Sequence, residues 1–411
     1  MTNSGAVEAP IKLTAWSWNT YIVLALILAA GLAARLYGVV DLPYNYDEPR
    51  NIEIVDSIDP ARLALPARSF QHPPLSVYVF RLGVALFGSN NLGYRSMNAL
   101  AGALSILAIY ALAKLGSGDE RVGLLAALFL ATNRFHIGWS RHVNQEVIYL
   151  GLVTLSLIAF WNAMRRSSGW AAFGVALSLA VLAKELAVLL VPALLLAVLC
   201  DPAGRGLLKR PRPWFALAGV TAVAGVLLAY ALRNPGRHEM NVEQNLHRAT
   251  SIGISLEPLE FFLSPSTTHD APLADAWTYP SMYWLTGVVL LAGVAASIPD
   301  RRDSFTRLML VVFGFYFLWF TFVGTDPSRR SLHQGEFWWV DVAIVPAIVL
   351  TSRVVIHLKD RSRLFGAAFW VLPLWLVADA AFFVAITPGG PILRMLDLTY
   401  DDVVARVPFL L

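Results

Sequence analysis

The chain has 411 residues, 57% of them apolar and 15% charged, where a soluble domain carries about 25% charged residues. The apolar excess recurs along the whole length, with a mean hydropathy of +0.58, so a soluble globular fold is excluded. The net charge is +4, but the basic residues are scattered between apolar stretches, which reads as loop charge on a membrane protein rather than a nucleic-acid surface. Cys200 is the only cysteine, which excludes an internal disulfide and a cysteine-based metal site.

Residues 1–18 read as a cytoplasmic tail. The first apolar stretch, 19–40, is long for a signal-peptide core and lacks a small-residue cleavage site, so it reads as a retained anchor. A long loop, 41–94, follows. It contains Tyr46-Asp47-Glu48-Pro49-Arg50, two adjacent carboxylates just past the end of a span. Neighbours on a helix point in different directions, so Asp47 and Glu48 are not expected to share one task. In the plainer reading, Asp47 caps a helix that begins at Pro49. Further on, His72 precedes Pro73-Pro74, whose fixed φ stiffens the approach to the next helix. A cationic side chain at a helix start suits a phosphate; an interfacial histidine in a turn is the alternative. The helix 75–87 carries Arg81 and covers only about 20 Å, short of a ~30 Å hydrocarbon core, so it is laid in the interface.

Further spans are read at 96–113, 122–138, 146–164, 170–183, 186–200, 214–232, 281–299, 308–324, 337–352 and 364–386, about eleven with the first. Trp and Tyr mark many of their ends, as an interfacial belt requires. Between the spans 122–138 and 146–164 comes Ser140-Arg141-His142, and Glu146 then opens an apolar run. An ionisable group at a span's mouth is costly unless paired or wet, and is functional by default; an Arg141–Glu146 surface pair is the competing reading. Lys184 lies between two short apolar runs, either snorkelling or lining a polar cavity. A second long loop covers 233–280. Asp326, Arg329, Arg330 and His333 fill a short one, a cluster fit for a phosphate or a lipid headgroup. Residues 387–411 form a short external tail, and no soluble domain is expected at either end.

Charge sets the orientation. Lys114 to Arg121, Arg165-Arg166, Asp201 to Pro213, Asp300 to Arg307 and Arg353 to Arg363 share a face with the N-terminus, and all but the first are more basic than acidic. The positive-inside rule puts that face in the cytoplasm and the two long loops outside. Counting 75–87 as a span would flip everything after it. With it in the interface, carboxylates, cations and a proline-rigidified histidine gather on one outer face.

The run Arg35-Leu36-Tyr37-Gly38 to Tyr46-Asp47-Glu48 resembles the first outer loop of the C-type (GT-C) membrane glycosyltransferases, in the protein O-mannosyltransferase and aminoarabinose transferase superfamily. His72-Pro73-Pro74-Leu75 is similar to its His/Lys-Pro-Pro-Leu element. Phe87-Gly88 to Arg95 and Asn98, Ser140-Arg141 with Glu146, and Leu182 to Glu185 resemble later elements. The resemblance is specific from about residue 33 to 200 and architectural beyond. It implies an all-α polytopic integral membrane protein that moves a sugar, with inversion, from a polyprenyl-phosphate donor to a lipid, glycan or protein acceptor outside the inner membrane. It implies Asp47 as base or acceptor-positioning carboxylate, Glu146 as second carboxylate, and His72 and Lys184 near the donor phosphate. Glu48, Arg141, Arg329, Arg330 and His333 are further substrate-binding candidates.

Three departures bear on this. Glu146 stands where the family more often has Asp. Gln71 stands where some members have an acidic metal-binding residue, which counts against a divalent cation, the one candidate cofactor. The chain ends soon after its last span, which favours a small or lipid-borne acceptor. The competing functions are a transporter or flippase, which predicts half-repeats and helices broken at the midplane, and a non-catalytic envelope scaffold, which would leave Asp47 and His72 replaceable.

Overall fold

The computed structural model describes residues 18–42, 44, 48–58, 73–166, 169–202, 204–233, 254, 256–263, 284–323 and 341–386. Among them the architecture is all-helical. In chain order come α1 (Trp18–Leu36), α2 (Glu48–Asp56), α3 (Leu75–Phe87), α4 (Asn91–Ser117), α5 (Glu120–Thr132), α6 (Arg134–Ser140), α7 (Glu146–Arg165) and α8 (Trp170–Ala183). Then follow α9 (Leu190–Cys200), α10 (Pro211–Arg233), α11 (Glu257–Leu263), α12 (Trp284–Ala296), α13 (Ser304–Phe322), α14 (Ile344–Arg361), α15 (Arg363–Ala368) and α16 (Val371–Ile386). Seven described stretches are long and apolar enough to cross a membrane, and four shorter apolar helices accompany them, Leu75–Phe87 among these.

The centre of the bundle is α4, which packs on α1, α3, α5 and α7. Its 27 residues extend about 40 Å at 1.5 Å per residue. Asn90 caps its start by accepting from the Gly93 amide, and Gly118 ends it in the left-handed conformation, φ 74°. Close helix approach needs small residues. A Cβ on Gly102 would collide with Ser140 Oγ and with Arg35. Gly83 of α3 meets the Gly93 carbonyl of α4 in the same way.

The expected span 364–386 divides into α15 and α16, and two other predicted boundaries move. The expected span 122–138 is cut at Asn133, which ends α5 and whose side chain caps α6 by accepting from the His136 amide at 2.9 Å. The carbonyls freed by this break go to Arg35, buried at the end of α1. Its Nη2 donates to Leu130 O at 3.1 Å and its Nη1 to Ala131 O at 3.2 Å. Apolar side chains alone do not announce such a break. The expected loop 353–363 is instead helix as far as Arg361. Basic residues in a last turn favour a helix C-terminus, and it is Ser362, capping α15, that interrupts the chain.

The bundle has two chemically different ends. At one, Thr20 meets Glu120, Arg121 meets Asp119 and Asp360, Arg307 meets Asp201, and Arg353 meets Asp303. At the other, the close of α1, the starts of α4 and α7, and the α6–α7 turn come together. Asn91 Nδ2 donates to Val40 O at 2.7 Å, and Arg95 Nη1 donates to Val39 O and Leu42 O at 2.6 and 2.8 Å. The chain therefore leaves α1 and re-enters α4 at the same end, and α3 lies beside the first turns of α4.

Candidate functional site

The second end is organised around Glu48, the first residue of α2 and fully buried. Arg95 forks onto it, Nε to Oε1 at 2.6 Å and Nη2 to Oε2 at 2.8 Å. The Val143 amide donates to Oε1 and His142 Nδ1 meets Oε2, each at 3.0 Å. Each oxygen thus has two partners. Burial alone would raise this carboxyl, but the hydrogen bonds from His142 and Arg95 hold it at about 2. Burial also keeps His142 below the ordinary histidine value, although Glu48 pulls the other way. At neutral pH, His142 is a neutral donor to an ionised Glu48.

The α6–α7 turn is held from several sides. Asn98 of α4 donates to Trp139 O at 2.8 Å and His142 O at 2.6 Å, and Asn51 of α2 donates to Val143 O at 2.7 Å. Arg141 is nearly buried and donates to Tyr37 O at 2.6 Å. Burial lowers it to about 10. Asn144 then accepts from the Glu146 amide at 3.0 Å, which fixes the start of α7.

Glu146 does not pair with Arg141. Its Oε1 accepts from Lys184 Nζ at 2.6 Å, and both side chains are 4% exposed. Lys184 sits at an extended residue that ends α8, ahead of a single 3-10 turn, and its ammonium lies 5.6 Å from the centre of the Tyr149 ring. Ser76 Oγ, one residue into α3, donates to Ala183 O at 3.3 Å, which brings the helix after Pro73-Pro74 to the same place. Lys184 therefore lines a buried polar cluster and does not snorkel.

Of the residues singled out in the sequence, Glu48, Arg141, Glu146 and Lys184 meet at this end of the bundle, in two adjoining clusters. Asp47, Gln71, His72, Arg329, Arg330 and His333 lie outside the described residues. Among the described residues, no group of three or more His, Cys, Asp or Glu side chains could hold a metal ion. His142, Asn98 and Asp341 join these clusters without having been expected as site residues. Asp341 is fully buried beside Glu146 and Lys184. Its signal was a lone acid in the apolar run 337–352.

A model of the dolichyl-phosphate-mannose-protein mannosyltransferase family matches residues 71–230. An undecaprenyl phosphate-alpha-4-amino-4-deoxy-L-arabinose arabinosyl transferase of Pseudomonas aeruginosa is 34% identical over 145 residues, 34% of this chain and 26% of that protein. The match thus spans about a quarter of that curated relative's length. A protein of Aquifex aeolicus is 31% identical over 335 residues, 80% of this chain and 62% of its own. The crystal structure of ArnT from Cupriavidus metallidurans bound to undecaprenyl phosphate superposes with a TM-score of 0.62 at 16% identity, covering 96% of this chain and 74% of that one. The archaeal oligosaccharyltransferase AglB from Archaeoglobus fulgidus, in complex with an inhibitory peptide and a dolichol-phosphate, gives 0.52 at 14% identity, covering 90% and 55%. At such identities the likeness is one of fold.

Proposed function

We propose that this chain, which belongs by fold to the C-type (GT-C) membrane glycosyltransferase superfamily, transfers a sugar from a polyprenyl-phosphate carrier to an acceptor hydroxyl on the extracytoplasmic face of the inner membrane. The observation that carries this reading is the gathering of buried carboxylates and cations at one end of an apolar helical bundle. The N-terminus and the basic loops are assigned to the cytoplasm. The acceptor is a lipid, glycan or protein hydroxyl.

In the reaction, the acceptor oxygen attacks the anomeric carbon, and the bond from that carbon to the phosphate oxygen breaks. The polyprenyl phosphate leaves with the bonding pair, and the hydroxyl proton passes to a carboxylate. Phosphate leaves readily, so one base suffices, and we assign that base to Asp47. Glu48 has both oxygens engaged, so its role is to pin the start of α2 one residue after Asp47 rather than to bind substrate. Glu146 is the second carboxylate. Lys184, already bonded to Glu146, orients that carboxylate. Cationic stabilisation of the departing phosphate then falls to His72, Arg141, Arg329, Arg330 and His333.

The test is transfer by the purified full chain from polyprenyl-phosphate sugars to membrane acceptors, followed by mass spectrometry. Asp47→Asn is expected to lose about 100-fold or more of kcat, the scale of a missing general base. Full activity in that variant would remove Asp47 from the role. A wild type that transfers nothing but moves the donor across vesicles would replace the transferase reading with transport.

A further inference from the structure

One buried acid beside the Glu146–Lys184 pair has no part in the scheme above. Asp341 precedes α14 and has no exposed surface. Among the described residues, neither of its carboxylate oxygens has a hydrogen-bond partner, and the adjoining Val342 amide approaches without completing one. Oε2 of Glu146 is likewise buried and unpartnered. Among the described residues, the charged and titratable groups around this acid are Glu146 and Tyr149 from α7, Lys184 from the α8–α9 junction, whose own neighbour is Glu185, and Tyr316 from α13.

Among the described residues, one ammonium therefore serves two buried carboxylates. Lys184 gives its hydrogen bond to Glu146, while Asp341 is near enough to attract it and too far to bond. A buried acceptor that lacks a donor loses its hydration and gains nothing in return. Ionisable groups kept inside a membrane bundle at such a cost mark function.

We propose that Asp341 is a positioning residue for the transfer reaction, drawing on Lys184 so that the ammonium does not wholly engage Glu146 and one Glu146 oxygen stays open to a sugar or acceptor hydroxyl. No bond is made or broken at Asp341. With Asp341 in place, Lys184 is shared, and Glu146 keeps Oε2 as an acceptor. Without it, Lys184 collapses onto Glu146 as a closed pair. This role rests on the transferase reading.

The experiment compares full-length wild type, Asp341→Asn and Asp341→Glu in detergent, measuring Tm, kcat and KM. Asp341→Asn is expected to keep or raise Tm while kcat falls about tenfold and KM moves by less than about twofold, the pattern of an interaction that matters only in the transition state. Asp341→Glu restores part of kcat. An Asn variant with wild-type kcat would overturn the proposal. So would a lowered Tm with a loss of activity no greater than the loss of folded protein, since that is a structural role. A wild type that transfers no sugar overturns the transferase reading and this role together, whereas an active wild type matched by its variant overturns this role alone.

Discussion

Arg121 and Arg95 each fork onto a carboxylate, at opposite ends of the bundle. Arg121 reaches Asp119 and Asp360 at 2.8 Å with 49% of its side chain exposed, whereas Arg95 reaches Glu48 at 2.6 Å with none exposed on either partner. The geometry is similar and the energetics are not. A solvated pair contributes about 0–1 kcal/mol, because water competes for both charges. A buried pair gains little over an apolar substitute, yet breaking it costs about 3–5 kcal/mol, because the remaining charge is stranded. The Arg121 end can therefore vary its pairs with small consequence. The Arg95 end cannot lose one partner at a time, and it keeps Val39, Leu42 and the α6–α7 turn in place through the same few side chains.

The comparison is broken most directly by Glu48→Ala, which strands Arg95 and frees the turn. The expected loss is about 3–5 kcal/mol, read as a large drop in the thermal midpoint in detergent; a drop no greater than that of a surface variant would refute the contrast. Lys184→Met comes next. It leaves Glu146 and Asp341 without a cation, for an expected loss of about 3 kcal/mol. Adding Glu146→Gln should restore part of it, and simple additivity of the two losses would argue against a direct pair.

Acid probes the same end without mutation. His142 is held low by burial, so the unfolded chain takes up a proton that the native state refuses once pH falls below about 6.5. Glu48, held at about 2 against an ordinary 4.5, adds a second loss as pH falls below 4.5 toward 2. Both signs agree: stability falls with pH through each window. Removing Glu48 should abolish the lower one in a titration of Tm. The smallest effect belongs to Arg121→Ala, below about 1 kcal/mol and shrinking further in added salt. A larger, salt-insensitive loss would show that the exposed end carries more than solvated pairs.

Much of the fold was legible because it depends on local signals. The helix 75–87 has the expected bounds, since Pro73-Pro74 punctuates its start and Gly88, with φ 87°, its end. What hydropathy could not see were features that depend on distant partners. Asn133 divides an apolar run because Arg35, far away in sequence, takes the carbonyls that the break releases. Glu146 was noticed because it stands at the mouth of a span, but sequence proximity suggested Arg141 as its partner. The real one, Lys184, is 38 residues away. Asp341, and Asp379 paired with Arg134, were averaged away inside otherwise apolar windows. In a bundle like this, a single acid within a long apolar run says more than the run itself.

The helices on either side of Lys184 have a consequence for the surrounding lipid. α8 has 14 residues and α9 has 11, spans of about 21 and 17 Å at 1.5 Å per residue. Neither matches a hydrocarbon thickness of about 30 Å, and a stretch that short is accommodated by bilayer thinning, by snorkelling of its flanks or by association with other helices. The polar break at Lys184 thus lies between two helices too short to keep it a full hydrocarbon thickness from either far end.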